Sequence, residues 1–237
     1  MIGISLELGC WNFIFMKWLR EKFQASPELA RFLPFVIFLG LTFCQGSPDS
    51  ANAYWFYLAK TLVGAWLIWE MRPFVSEMRW AFSWEAVAVG VAVCVMWVGI
   101  DGWYPKMGSS DKIWNPHQQF GENPALAWMF IVVRTLGSTF VVPPLEEVFF
   151  RSFLYRYFVK VNFQALPLAT FHVTSFIVTA TIFGFEHSQW LAGILCGFAY
   201  QWLVIRKNRL GDAMLAHGIT NFLLGVWVVW KGDWQFW

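Results

Sequence analysis

Within long apolar runs the chain keeps Glu146-Glu147-x-x-x-Arg151, His187 and His217-x-x-x-Asn221. An ionisable side chain at membrane depth costs roughly 2.5–3.5 kcal/mol. A diacid, an arginine and two histidines kept there together therefore imply a shared task. A carboxylate and a histidine can polarise water, and a pair of donors can hold a tetrahedral intermediate; that combination hydrolyses an amide. A serine or cysteine nucleophile fits less well, because there is no G-x-S-x-G turn and no cysteine lies near the motifs. H-E-x-x-H is absent as well. The expected cofactor set is empty, although Glu and His can ligate zinc and a catalytic zinc stays open.

Helical geometry distributes these residues. Neighbours on a helix point about 100° apart, so Glu146 and Glu147 cannot share a face. Glu147 and Arg151 stand at i,i+4, the spacing of a carboxylate–guanidinium pair, which leaves Glu146 free to react. The run Val141-Val142-Pro143-Pro144 ends one helix and starts another. The carboxylates are thereby expected in a first turn, where the dipole favours them. The bland alternative is that both acids cap a helix while Arg151 snorkels. His187 closes Phe183-Gly184-Phe185-Glu186-His187, with Phe183 one turn back and expected beneath the imidazole. A helix-to-helix hydrogen bond is the ordinary reading of such a histidine, and Glu186 is either a cap or a second acid. His217 and Asn221 share one side of the last helix, as oxyanion donors or as polar glue between helices. Asp212 stands where an N-cap is expected. Lys60 and Arg134 fall within spans, where pairing with an acid or snorkelling is the ordinary expectation and gripping a substrate carboxylate the sharper one. His117 and His172 receive no function.

The elements that must position these groups are helices in lipid. Of 237 residues 58% are hydrophobic and 14% charged, with 17 Trp and 25 Phe, which puts the chain outside the soluble globular class. Spans of about 20 apolar residues are read at roughly 32–46, 54–71, 80–100, 125–143, 166–186, 189–205 and 212–230, with a more polar eighth helix at about 145–160. The fold class is all-α, a polytopic transmembrane bundle of about seven to eight helices with a polar intramembrane cavity. Residues 1–31 form a cytoplasmic or interfacial segment and 32–237 a single transmembrane domain with its motif core at 125–230. Trp11 to Phe23 mixes aromatics with basic residues, as an interfacial helix does, and a plain helical extension before the first crossing fits equally. No cleavable signal is expected in 1–31, where no small-residue site closes a short apolar run. Cys10, Cys44, Cys94 and Cys196 are scattered and read as free thiols. Gly193-x-x-x-Gly197 offers a close-packing face. Nothing suggests a nucleic-acid partner.

Counting basic residues puts the N-terminus in the cytoplasm and the 101–124 loop outside. After residue 143 the count conflicts with itself. If every later helix crosses, Arg206-Lys207-Arg209 falls outside; if 145–160 stays inside, Glu146 and His187 fall on opposite faces. One helix is expected to be broken, short or re-entrant, as is tolerated beside a polar cavity.

The ordered motifs E-E-x-x-x-R, F-x-x-x-H and H-x-x-x-N, within about 76 residues, resemble those of the CPBP intramembrane proteases. That family includes the CAAX prenyl endopeptidases and the bacterial Abi proteins. EEVFFRSFLYRYF, FGFEHSQWLAGILCGFAYQWL, LAHGITNFLLG and GDWQFW further resemble the CAAX protease-related proteins of bacterial exosortase (PEP-CTERM) sorting systems. The resemblance implies an inner-membrane, multi-pass endopeptidase. In it Glu146 and His187 activate water, His217 and Asn221 stabilise the oxyanion, and Glu147, Arg151 and Phe183 support them. It implies no catalytic metal, a membrane-anchored peptide or protein as substrate, and exosortase components as candidate partners beside the lipid bilayer. The competing classes are a non-catalytic membrane scaffold of the same fold and a small transporter. No internal repeat supports the transporter.

Overall fold

The structure is a computed structural model that describes residues 15–108 and 113–237. Among these the chain is all-helical, with no strand. Residues 15–25 are helical (α1), followed by α2 (Pro27–Phe43), α3 (Ala51–Met71), α4 (Trp84–Gly99), the short α5 (Pro116–Gln119) and α6 (Pro124–Phe140). Then come α7 (Val142–Glu147), a π-helical stretch (Val148–Leu154), α8 (Tyr155–Val159), α9 (Val173–Phe185), α10 (Trp190–Lys207) and α11 (Gly211–Lys231). Cys10, and the part of the expected interfacial helix before residue 15, lie outside the described residues.

Local chemistry sets the boundaries. Ser26, Ser83 and Asn123 accept hydrogen bonds from Leu29, Ala86 and Leu126 amides at the starts of α2, α4 and α6, and Pro27 and Pro124 occupy first-turn positions where no N–H is missed. Asn208 (φ 51°) and Gly232 (φ 73°) take the left-handed conformation that ends α10 and α11. Asp212 is not the expected N-cap: α11 begins at Gly211, and Asp212 sits inside its first turn. There it is buried, accepts from Ser83 Oγ and pairs with Arg209. α9 begins at Val173 and not near 166, because residues 160–172 fold as a loop in which Tyr155 Oη bonds Thr170 O at 3.0 Å. His172 accepts from the Ser175 amide through Nδ1 and caps α9.

Small residues bring the helices of the site together. A Cβ on Gly193 would lie 2.9 Å from Gly184 Cα, and one on Gly197 2.9 Å from Ala180 Cα, so α10 lies directly on α9 through the expected glycine face. A Cβ on Gly90 would meet Ala216 O at 2.6 Å, which sets α4 against α11. The outer surface carries exposed large apolar side chains such as Trp69, Trp84, Trp202 and Trp230, a covering that water does not favour. Pro124–Val159 and Gly211–Lys231 are long and apolar enough to cross a membrane; Trp84–Gly99 and Val173–Phe185 are apolar but shorter. Cys44, Cys94 and Cys196 are free thiols.

The long helices alternate in direction and define two ends. At one end Arg156 reaches Glu77, and the Ala169 amide bonds Asn208 Oδ1 at 3.0 Å. At the other, the Met107 amide bonds Ser188 O at 2.9 Å and Trp237 packs on Trp114. The stretch from Val142 to Val159 continues onward from α6 and does not turn back. This resolves the conflict in the charge count: α9 then runs back from the end of Arg156, α10 returns, and Arg206-Lys207-Arg209 share an end with Arg72, Arg79 and Arg156.

Candidate active site

A cavity of about 320 Å³ lies among the helices, lined by Glu146, Glu186, His187, His217 and Asn221 together. Three breaks in regularity assemble it. After α6 the Val141–Pro144 segment starts α7. The two prolines fill its first turn, so Glu146 and Glu147 sit in the last turn and not the first, contrary to the dipole expectation. After Glu147 the helix widens to π geometry, seen where the Tyr155 amide bonds Phe150 O, five residues back. Lastly, α9 stops at Phe185, and His187 follows it with its amide on Gly184 O.

Glu147 is the hinge of the polar cluster. Its Oε2 lies 3.2 Å from Arg151 Nε, the ion pair expected from i,i+4 spacing, and both side chains are buried. Its Oε1 receives His217 Nδ1 at 2.9 Å, a contact across 70 residues that no local spacing announced. Arg151 spreads its guanidinium 4.1 Å from the centroid of the Phe183 ring. Phe183 also meets His187 at 5.1 Å and His217 at 6.1 Å between centroids, so it separates and aligns all three. Glu147 and Arg151 stand behind the cavity; Glu146 faces it.

The histidine contacts constrain their protons. Phe183 O can only accept, so His187 Nδ1, 2.9 Å away, carries hydrogen and Nε2 is left as a base. Trp97 packs on that ring at 5.3 Å between centroids. His217 Nε2 lies 3.9 Å from Glu146 Oε2, while Nδ1 belongs to Glu147. A neutral imidazole donating from Nδ1 to a carboxylate presents a lone pair at Nε2. With that tautomer, a donor at Nε2 requires one further proton in the Glu147–His217 pair. Tyr200 stacks under His217 at 5.2 Å, and its hydroxyl bonds Thr220 at 2.7 Å. Asn221 Nδ2 donates to Ser138 O at 2.8 Å, which keeps the second amide hydrogen available. Glu146 Oε2 is buried without a protein hydrogen-bond partner.

The expected site residues thus share one locality, and the cavity adds others. Glu186, read as a cap or second acid, lines it. So does Cys196, although no cysteine was expected near the motifs; it lies in the second turn of α10, four residues before Tyr200, which lines the cavity too. Lys60 and Arg134 also line it, and among the described residues neither makes the expected pair with an acid. Lys60 Nζ is held by Thr42 Oγ1 and Gln45 Oε1, and Arg134 is packed against aromatic rings. Among the described residues no group of three or more His, Cys, Asp or Glu side chains is placed to hold a metal ion.

Residues 127–223 match the family model of the Rce1-like proteins, type II CAAX prenyl endopeptidase Rce1-like. That span contains every motif position from Glu146 to Asn221. Neither the comparison with curated proteins nor that with solved structures gives a match. Over this segment, less than half of the chain, the sequence is similar to the CAAX prenyl endopeptidase family, and the all-helical architecture agrees with that likeness.

Proposed function

We propose that the protein is a multi-pass endopeptidase that hydrolyses a peptide bond of a membrane-anchored peptide or protein with water activated by Glu146 and His187. The observation that carries this reading is the shared cavity. An unpaired carboxylate, a histidine with a free Nε2 and an amide with a free N–H meet in it, backed by a buried Glu147 that orients His217. Glu146 takes one proton from water, while the hydrogen that stays on the oxygen donates a hydrogen bond to His187 Nε2. The oxygen adds to the carbonyl carbon, and Asn221 and the protonated His217 face hold the oxyanion. Collapse breaks the C–N bond, and Glu146 returns its proton to the leaving amine.

Read as crossings, α2, α3, α4, α6, α9, α10 and α11 put Arg72, Arg79, Arg156 and Arg206 to Arg209 on the cytoplasmic side of a bacterial inner membrane. The cavity lining then runs toward the outer face at Gln189, Phe236 and Trp237. That direction suits processing of an exported protein's membrane anchor, in keeping with the likeness to exosortase-associated proteins. The test is proteolysis of C-terminally anchored peptides in liposomes, read by mass spectrometry, with a chelator control. Wild type is expected to cleave with or without chelator, and His187→Ala to lose cleavage. Loss with chelator moves the mechanism to a metal; equal cleavage by His187→Ala removes the proposed site.

A further inference from the structure

Two cations, Lys60 and Arg134, line this cavity with no acid paired to them among the described residues. Lys60 on α3 is 5% exposed, and its Nζ donates to Thr42 Oγ1 at 3.2 Å and Gln45 Oε1 at 3.1 Å. An ammonium carries three hydrogens, so one is left. On α6 the Arg134 guanidinium carbon lies 4.6 Å from the Trp114 ring centroid, 5.1 Å from that of Tyr57 and 5.5 Å from that of Trp237. Rings stabilise a cation over their faces but leave the five in-plane guanidinium hydrogens unclaimed. Lys60 Nζ lies 4.7 Å from the same Tyr57 ring, so the two charges flank one side chain. Among the described residues neither cation has a carboxylate within ion-pairing distance. The contrast with Arg151, which has Glu147, is direct. An unbalanced charge away from water is expensive, and two such charges on one cavity wall fit an anion that arrives with the ligand.

We propose that Lys60 and Arg134 form a subsite for a carboxylate of the bound peptide in the cavity that Glu146 and His187 also line. The identity of the ligand as a peptide rests on the peptidase reading; the charge arrangement does not. Arg134 precedes Ser138, whose carbonyl holds Asn221, by one helical turn, about 6 Å along the axis. The anion is therefore held within a few residues of the bond being cut.

The experiment measures binding separately from cleavage. Glu146→Gln protein in phosphatidylcholine nanodiscs is titrated with one labelled apolar peptide in three forms: free C-terminal acid, C-terminal amide, and that amide with a Glu side chain near its end. The acid is expected to bind about tenfold or more tightly than the amide. The Glu-containing amide matches the acid if a side chain supplies the group, and the plain amide if the chain end does. Lys60→Gln and Arg134→Gln are expected to shrink the preference below about threefold, while Lys60→Arg and Arg134→Lys retain it, with melting curves reporting folding. Equal affinity for all three forms, no binding of any, or an unchanged preference in both Gln variants overturns the subsite. So does loss of peptide binding when phosphatidylglycerol replaces phosphatidylcholine, which assigns the cations to a lipid headgroup. Acid-selective binding with no cleavage by wild type keeps the subsite and overturns the peptidase reading; cleavage without acid selectivity does the reverse.

Discussion

Two charged clusters in this protein are built in opposite ways. At the basic end of the bundle, Glu77 receives Arg31 through Nε at 2.8 Å and Nη2 at 2.9 Å, with Arg156 at 3.2 Å and the Ser152 hydroxyl beside them. Arg156 also donates to Ser152 O and to Leu166 O. In the cavity, by contrast, Glu146 Oε2 is buried without a hydrogen-bond partner among the described residues. The first cluster joins α2, the 75–83 loop and the π-helical stretch and leaves little unmet. The second keeps a polar atom unmet where a cavity can bring a ligand. Satisfied networks hold a fold, whereas orphaned groups beside a cavity mark a site.

That contrast is tested most severely at Glu146. Glu146→Gln is expected to lower the cleavage rate about a thousandfold while the melting temperature stays within a degree or two. A variant that melts much earlier would make Glu146 structural and erase the distinction. Glu147→Gln is expected to lose on both counts. Removing one partner of a buried pair costs about 3–5 kcal/mol, and His217 loses its orienting acceptor, so thermal melting and cleavage should fall together. Loss of activity at full stability would move Glu147 into the reacting group.

The third test uses pH. Burial pushes the Glu77 carboxyl up, but the Arg31 hydrogen bond and charge, with the Ser152 hydroxyl, outweigh it and hold it at about 2 against an ordinary 4.5. A depressed carboxyl stabilises the fold fully above its ordinary value and loses that contribution as pH falls toward about 2. The difference corresponds to about 3 kcal/mol. Melting temperature should therefore drop between pH 5 and pH 2, and Glu77→Gln should start lower and show a flatter profile. An unchanged profile would mean that the network does not hold the bundle. The smallest effect belongs to the exposed pair of Arg206 and Glu85 at 2.9 Å. Glu85→Ala should change stability by at most about 1 kcal/mol in a denaturation series, the scale against which the buried clusters are judged.

Much of the scaffold is readable in the chain. Ser26-Pro27, Ser83 and Asn123-Pro124 announce helix starts because capping and proline act within one turn. The glycines of α10 announce a close neighbour. Less was readable where regularity fails. The π-helical stretch has no composition of its own, and α9 starts late because the apolar residues before Val173 serve a loop. Asp212 looked like a cap because its type fits one, but it pairs with Arg209 three residues before it and accepts from Ser83, which the packing of α4 on α11 brings to it.

The sequence by itself determined the helical, membrane-type composition, the Glu147–Arg151 pair and the divergence of Glu146 from it, since each follows from spacing within one turn. Only the tertiary structure decided that His217 leans on Glu147, that Glu186 and Cys196 reach the same cavity, and that Lys60 and Arg134 line it too. Those relations join residues tens of positions apart. They are set by how closely α9, α10 and α11 pack, which depends on the shape of every surface between them.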